Sequence, residues 1–151
     1  MKLNKREFLA FGAGSVAFVA VGGVASQAFA ETSETQKRIK EFAGGKAIKS
    51  GKVSLTTPEI AENGNTVPIS VDVESPMTKG DHVASVMLLA DGNPLPGVAT
   101  FHFSHMSGEA SATTRIRLAK TQDVIAVAKM SNGDVYMDKK QVKVTIGGCG
   151  G

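Results

Sequence analysis

The chain has 151 residues, and its single cysteine excludes an internal disulfide and therefore a disulfide-stabilised scaffold. It carries 17 lysine and arginine residues against 14 aspartate and glutamate residues, and three of the basic residues and one acidic residue lie within the first thirty positions. The remainder, with 14 basic and 13 acidic residues, offers no electrostatic reason to expect binding to nucleic acid or to an anionic membrane.

Residues 1–30 have the pattern of an export signal. A basic stretch precedes an apolar run from Phe8 to Val24, and Ala28-Phe29-Ala30 is the small-x-small pattern that a signal peptidase accepts. The segment Lys5-Arg6-Glu7-Phe8-Leu9 resembles a twin-arginine (Tat) signal with lysine in place of the first arginine. Cleavage after Ala30 is therefore predicted. The general secretory route and a retained membrane anchor are the alternatives.

Residues 31–146 are predicted to form one domain, because about 120 residues can bury a single modest core. Ile39 and Phe42 predict a short amphipathic helix from Glu34 to Phe42, ended by Gly44-Gly45. Beyond it the pattern changes to the two-residue period of half-buried strands. The predicted strands, in chain order, are Val53 to Leu55, Val67 to Val73, Val83 to Ala90, Val98 to Ser104, Ala112 to Leu118, Val124 to Met130, Val135 to Met137 and Val142 to Ile146.

Three details refine the predicted strands. Pro68 places its strand at an edge or places the proline near the strand start, and the continuously apolar run Val83 to Ala90 indicates a central strand. Asn132-Gly133 predicts a hairpin closed by a type I′ turn. Roughly seven or eight short strands with regularly spaced turns predict an all-β fold, an antiparallel β-sandwich with one short N-terminal helix.

The only cysteine, Cys149, lies in the ending Gly147-Gly148-Cys149-Gly150-Gly151. Glycine offers no side chain to bury a thiol and adopts almost any backbone conformation, so residues 147–151 are predicted to be a flexible arm. Three extended residues place the Cα atom of Cys149 roughly 10 Å beyond Ile146, which is enough to enter a narrow cleft. No basic residue adjacent in sequence activates the thiol. We therefore expect a handle on which other enzymes act.

Other residues give weaker indications. The sequence contains no nucleophile elbow, phosphate loop, haem-attachment motif or metal-ligand spacing, so no metal or cofactor is predicted. His102 and His105 would point to opposite faces of a strand and make a poor chelate. Lys139, Lys140 and Lys143 precede the arm; they are either a solvated face or a cluster that attracts anionic intermediates or an acidic partner.

The ending Val142-Lys143-Val144-Thr145-Ile146-Gly147-Gly148-Cys149-Gly150-Gly151 resembles the C-terminus of the SoxY family, the sulfur carriers of bacterial thiosulfate oxidation. Further segments fit the same family: Asn93-Pro94-Leu95-Pro96, Ala99-Thr100-Phe101-His102-Phe103, Thr114-Arg115-Ile116-Arg117-Leu118-Ala119 and Asp123 to Ala128. The resemblance implies an immunoglobulin-like sandwich that is exported to the periplasm and pairs with a SoxZ-like subunit. It also implies that Cys149 is the covalent attachment point, on an arm of Gly147, Gly148, Gly150 and Gly151.

The partners implied by the resemblance act on that cysteine in turn. A SoxXA-like haem enzyme joins thiosulfate to it, a SoxB-like hydrolase releases sulfate and leaves a persulfide, and a sulfur dehydrogenase is a further expected partner. The chain itself is then a carrier and not an enzyme. The alternative from another class is a secreted β-sandwich assembly module in which Cys149 makes only an intermolecular disulfide.

Overall fold

The computed structural model describes residues 33–148. The expected export signal at 1–30 and the residues Cys149, Gly150 and Gly151 lie outside this range. Within residues 33–148 the elements are one helix, α1 (Ser33–Ala43), and nine strands: β1 (Ile48–Lys49), β2 (Val53–Thr56), β3 (Ile60–Asn63), β4 (Val67–Val73), β5 (Val83–Ala90), β6 (Gly97–His102), β7 (Ala110–Ile116), β8 (Gln122–Met130) and β9 (Val135–Ile146).

The strands form two sheets that pack face to face. The larger sheet has the order β1-β9-β8-β5-β6, and β3 also pairs with β9; the smaller sheet has the order β2-β4-β7. The pairs are antiparallel except that β1 and β3 run parallel to β9. The predicted all-β sandwich with a short N-terminal helix is confirmed, and these two short strands are its departure from purely antiparallel pairing.

Apolar side chains fill two layers, one on each face of the larger sheet. Leu55 and Ile69 of the smaller sheet meet Leu88 and Val124 of the larger one in the main core. On the other face, α1 covers a second cluster of buried residues: Ile39, Ala43, Leu89, Ile125, Val127 and Val135. Because β5 and β8 bury side chains on both faces, their sequences are apolar runs and not alternating patterns.

Most of the predicted elements are confirmed with bounds shifted by two residues or fewer, and β4 and β5 have the predicted bounds. Pro68 is the second residue of β4, so the prediction that it lies near a strand start is confirmed. The two predicted C-terminal strands are one continuous strand, β9, and β1 and β3 were not predicted. Ile60 of β3 is exposed, so the sequence of β3 lacks the alternation of apolar and polar residues that identifies a half-buried strand.

The β8–β9 hairpin is confirmed, but the predicted type I′ turn is wrong. Such a turn needs positive φ at both central residues, and only Gly133, with φ of 88°, has it; Asn132 does not. The Asn132 side chain instead accepts a hydrogen bond from the Asp134 N–H at 2.9 Å. This local bond explains why asparagine suits the turn without a positive φ.

An exposed ion pair joins β1 to the same hairpin. The Lys49 Nζ atom lies 3.0 Å from Asp134 Oδ1, and the ammonium groups of Lys49 and Lys52 lie 5.7 and 5.4 Å from the Tyr136 ring centre. The hydrogen bond between the pair raises the pKa of Lys49 and lowers the pKa of Asp134. Solvent screens the pair, so it adds only modestly to stability.

Candidate functional site

The glycines that follow β9 lie in a narrow space between two other segments of the chain. On one side is Gly64, which follows β3, and on the other is the turn Leu118–Ala119, which follows β7. Gly148 is buried, whereas Gly147 is exposed. The described geometry therefore reaches the residue directly before Cys149.

Three backbone hydrogen bonds connect these segments in a closed circuit. The Gly64 N–H donates to the Ile146 carbonyl at 2.8 Å, and the Leu118 N–H donates to the Gly64 carbonyl at 2.8 Å. The Gly148 N–H donates to the Leu118 carbonyl at 2.9 Å. We call Gly64, Leu118 and Ala119 the arm seat, because together they hold Gly147 and Gly148.

Close backbone packing explains the glycines at these positions. A Cβ atom on Gly64 would overlap the Leu118 carbonyl oxygen and lie 2.7 Å from the Gly148 nitrogen. A Cβ atom on Gly147 would overlap the Ala119 carbonyl oxygen, and one on Gly148 would lie 2.8 Å from the Gly64 carbonyl oxygen. The sequence predicts Gly147 and Gly148 as part of a flexible arm because glycine has conformational freedom; in the structure Gly148 is buried and hydrogen-bonded, and a Cβ atom on either residue would meet backbone atoms.

A buried amide pair holds the Leu118–Ala119 side of the seat. Asn93 Oδ1 accepts hydrogen bonds from the Ala119 N–H at 3.0 Å and from Gln122 Nε2 at 2.9 Å. Asn93 Nδ2 donates to the Arg117 carbonyl at 2.8 Å, and Gln122 Oε1 accepts from the Gly92 N–H at 2.7 Å. The Asn93 side chain thus bonds to the residues on either side of Leu118 and fixes the carbonyl that receives Gly148.

The lysines before the arm, for which the sequence left open a solvated face or an anion-attracting cluster, are only partly available to anions. Lys139 Nζ lies 3.7 Å from the buried carboxylate of Asp123. Lys140 and Lys143 line a groove of about 460 Å³ together with Glu59. The groove therefore contains charges of both signs, and it does not form a uniformly positive path to the arm.

No described cluster resembles a metal centre. Residues 33–148 contain no group of three or more histidine, cysteine, aspartate or glutamate side chains that could hold a metal ion. The His82 and His105 rings meet edge to face with centroids 6.0 Å apart, and His82 Nδ1 lies 3.1 Å from the Thr78 carbonyl. Over the same residues, no helix is both long and apolar enough to cross a membrane.

Sequence reasoning predicted Cys149 and its four flanking glycines as the site, which stays a prediction, and it did not single out Gly64, Asn93 or Leu118. Gly64 stands in Asn63-Gly64-Asn65, which has the composition of an ordinary turn, and Asn93 stands in a dense turn between β5 and β6. The one signal for Asn93 was that Asn93-Pro94-Leu95-Pro96 is among the segments that resemble the family named in the sequence analysis.

Comparison with known proteins identifies the family. The model of the family described as "Sulfur oxidation protein SoxY" matches residues 39–149. Among curated proteins none matches the chain. Among solved structures, the sulfur carrier protein SoxY from Chlorobium limicola f thiosulfatophilum is similar with 29% identity and a TM-score of 0.62, over 76% of this chain and 98% of that one.

More distant structural similarities concern the fold alone. The superoxide reductase (neelaredoxin) from Ignicoccus hospitalis has 17% identity and a TM-score of 0.56, over 62% of this chain and 80% of that one. A putative superoxide reductase from Thermotoga maritima has 20% identity and a TM-score of 0.57, over 64% and 93% of the two chains. The family match covers most of the chain, and the chain therefore belongs to the SoxY family.

Proposed function

We propose that this member of the SoxY family is a non-enzymatic sulfur carrier of the thiosulfate-oxidising Sox system, with Cys149 as its covalent attachment point. The observation that carries the proposal is that the family match extends to residue 149 and so includes the only cysteine of the chain. The similar Chlorobium protein is itself described as a sulfur carrier.

The chemistry assigned to Cys149 needs partner enzymes at each step. The Cys149 thiolate and thiosulfate join through a new S–S bond, and the two electrons released pass to a SoxXA-like haem enzyme. A SoxB-like hydrolase then cleaves the bond between the sulfane sulfur and the sulfonate with water. This step releases sulfate and leaves a persulfide on Cys149. The remaining sulfane sulfur is then oxidised by a sulfur dehydrogenase, which accepts the electrons, or is passed to another acceptor. The carrier contributes a tethered thiol and no catalytic group.

The export pattern at residues 1–30 supports a periplasmic location. Its twin-arginine-like segment favours export of a folded chain, which is compatible with assembly before export. The proposal includes a partner subunit of the SoxZ type. The edge strands of the two sheets indicate where this subunit binds.

Beyond a bulge at Val98, between the Leu88–Ala99 and Leu89–Gly97 pairs, the outer edge of β6 carries no charged side chain of its own. From Gly92 to Gly108 the sequence contains no aspartate, glutamate, lysine or arginine, and Leu95 and Met106 at the two ends are 65% and 84% exposed. The Phe103 N–H bonds to the Ala84 carbonyl of β5, so by alternation Thr100 directs its N–H and C=O outward.

The other edge strands in the described range are protected. Lys49, Glu62 and Arg115 lie in β1, β3 and β7, and the Leu55 N–H of β2 donates to the Asp138 carboxylate at 3.0 Å. Charged or covered edges are how native sheets avoid pairing with other chains. We therefore assign the β6 edge to the partner subunit, through addition of an uncharged strand.

The assignment of β6 is tested by co-purification with the partner subunit. Thr100→Pro removes an outward N–H at an edge position where proline is tolerated, so we expect the folded chain to lose the complex. Thr100→Val, which keeps the N–H, should retain it. If both variants bind the partner equally, the partner does not pair with this edge.

The carrier role is tested by intact-mass measurement of protein from cells that oxidise thiosulfate, with and without reductant. We expect reductant-labile additions of sulfur or thiosulfate mass on the C-terminal peptide, and their loss together with thiosulfate oxidation in Cys149→Ser. Full oxidation by Cys149→Ser would exclude the proposal. A disulfide-linked homodimer as the working species on non-reducing electrophoresis would favour the assembly module instead.

A further inference from the structure

We propose that the chain carries a further interaction surface, far from the arm, which binds an acidic protein segment that carries an apolar side chain. This surface combines lysines with a small apolar groove around β1 and the start of β9. We call it the lysine face, and it consists of Lys40, Lys46, Ile48, Lys49, Lys52 and Tyr136. It does not involve Cys149, so the proposal goes beyond the carrier function and does not depend on it.

The apolar part of the lysine face is a groove between the end of α1 and β1. The groove has a volume of about 260 Å³, and the buried residues Ile39 and Ala43 line it together with Ile48, which is 39% exposed. Lys40 and Lys46 also line it, so two ammonium groups accompany an apolar interior. The groove is smaller than the pockets of about 300–1,000 Å³ that hold drug-sized ligands, and it suits a single aliphatic side chain. An occupant that fits it therefore combines one apolar side chain with negative charge.

Positive charge continues from the groove along β1. The Nζ atom of Lys49 lies 3.0 Å from Asp134 Oδ1, and the charge of Lys46 adds to the effect of this hydrogen bond in lowering the pKa of Asp134. The Nζ atoms of Lys49 and Lys52 lie 5.7 and 5.4 Å from the centre of the Tyr136 ring. One carboxylate thus accompanies three lysines, and Lys46 and Lys52 form no ion pair with any other described residue. These two ammonium groups are available to carboxylates of another chain.

The distribution of charge favours an acidic protein segment over an anionic membrane. Residues 31–151 carry 14 basic and 13 acidic residues, and without the four lysines of the face and Asp134 they carry 10 and 12. The rest of the chain is therefore net negative, which opposes its approach to an extended anionic surface. Exposed charges act over about 10 Å at 0.1 M salt, so a segment that is acidic only where it meets the lysine face is attracted.

The position of the lysine face leaves the other proposed contact sites free. Tyr136 and Ile146 are ten residues apart in β9, so the face lies about 33 Å from the start of the arm. In the larger sheet, β1 and β6 are at opposite ends of the strand order. A protein bound at the lysine face therefore leaves room for a subunit at the β6 edge and for an enzyme at the arm.

Titration with a defined acidic peptide tests the lysine face, with NMR detection of the backbone amides of the full chain and Cys149 kept reduced. The probe is a short peptide of aspartate and glutamate around one leucine, and a second peptide has serine in place of the leucine. We expect saturable shifts of the Ile48, Lys49 and Gly133 amides and weaker binding of the serine peptide. The affinity should fall as sodium chloride is added, because salt screens exposed charges.

Two triple variants that lose the same charge distinguish the lysine face from an effect of net charge. The first removes three lysines of the face: Lys46→Gln, Lys49→Gln and Lys52→Gln. The second removes three exposed lysines outside the face: Lys79→Gln, Lys120→Gln and Lys143→Gln. We expect the first to bind the leucine peptide about tenfold more weakly, since each exposed ion pair contributes modestly, and the second to change binding by less than about twofold.

A single substitution tests the groove separately from the charges. Ile48→Ser should bind the leucine and serine peptides equally, because it removes the apolar contact that distinguishes them. If the first triple variant fails to fold, Lys46→Glu replaces it, since Lys46 is exposed and lies between α1 and β1.

Three outcomes would overturn the proposal. They are equal losses of binding in the two triple variants, equal binding of the two peptides by the unmodified chain, and the absence of saturable shifts at the amides of the face. Vesicles of phosphatidylglycerol and phosphatidylcholine are the competing probe, and binding to them without binding of the peptide would assign the face to a membrane instead. None of these measurements uses thiosulfate, so their outcome is independent of Cys149→Ser, which tests the carrier function.

Discussion

Replacing Asn93 with alanine tests whether the buried amide supports the seat. The substitution removes three hydrogen bonds, those to the Arg117 carbonyl, the Ala119 N–H and Gln122 Nε2, at a residue that is 9% exposed. A buried polar group left without a partner costs about 1–3 kcal/mol, and Gln122 keeps a second bond to the Lys120 carbonyl. We therefore expect a loss of about 3 kcal/mol in the free energy of unfolding.

That loss in the free energy of unfolding corresponds to a measurable decrease in the melting temperature, Tm. With an unfolding entropy of about 2.1 cal/mol/K per residue, a domain of about 120 residues has roughly 0.25 kcal/mol/K, so about 3 kcal/mol lowers Tm by about 12 °C. Circular dichroism melts in the presence of reductant measure it. Asn65→Ala, at an exposed asparagine, is the control and should shift Tm by less than about 2 °C.

Asn93→Ala is also expected to change the exchange of the Gly148 amide. Because the Leu118 carbonyl loses the bonds that fix its neighbours, the Gly148 amide should exchange faster in Asn93→Ala than in Asn65→Ala, at temperatures well below either melt. A Tm shift as small as that of the control would refute the energetic reasoning. A large Tm shift with unchanged Gly148 exchange would show that the amide pair stabilises the turn without holding the arm.

Three further predictions concern the scaffold. Ile39→Ala empties a buried position beneath α1 and should reduce the free energy of unfolding by about 3 kcal/mol in urea titrations. Asp138→Ala leaves the Leu55 N–H at the edge of β2 without its acceptor and should cost about 1–2 kcal/mol in the same assay. The lowered pKa of Asp134 means that its pairing with Lys49 stabilises the fold above the unfolded-state pKa, and that this contribution is lost as pH falls through the lower folded-state value. In Lys49→Met, NMR titration should show the Asp134 pKa returning toward its ordinary value.

The fold was predictable where a strand carries its own pattern. The two-residue period of β4 and the apolar run of β5 gave their bounds correctly, because burial of these side chains is decided within each strand. β1 and β3 bury almost nothing and exist because β9 offers them backbone partners, Val135 to Ile48 and Lys143 to Ile60 among them. Pairing of this kind depends on distant residues and leaves no local period.

The middle of β9 shows the opposite error. Asp138 to Gln141 is a polar stretch that looked like a break between two strands, yet each of its residues pairs with β8. Asp138 faces the edge of the smaller sheet and accepts the Leu55 N–H, and Lys139 lies near Asp123, so polar side chains there have partners. A polar run predicts a loop only when no other element supplies hydrogen-bonding or ionic partners for its side chains.

The chemistry proposed for the candidate site comes from the sequence, whereas the geometry around it could not be predicted. A lone cysteine among four glycines at the end of the chain stands out in the sequence, because no packing role explains it. Gly64 and Leu118 are separated from it by 85 and 31 positions in the sequence numbering, and neither residue type suggests a function. Their role comes from backbone atoms that only the folded chain brings together.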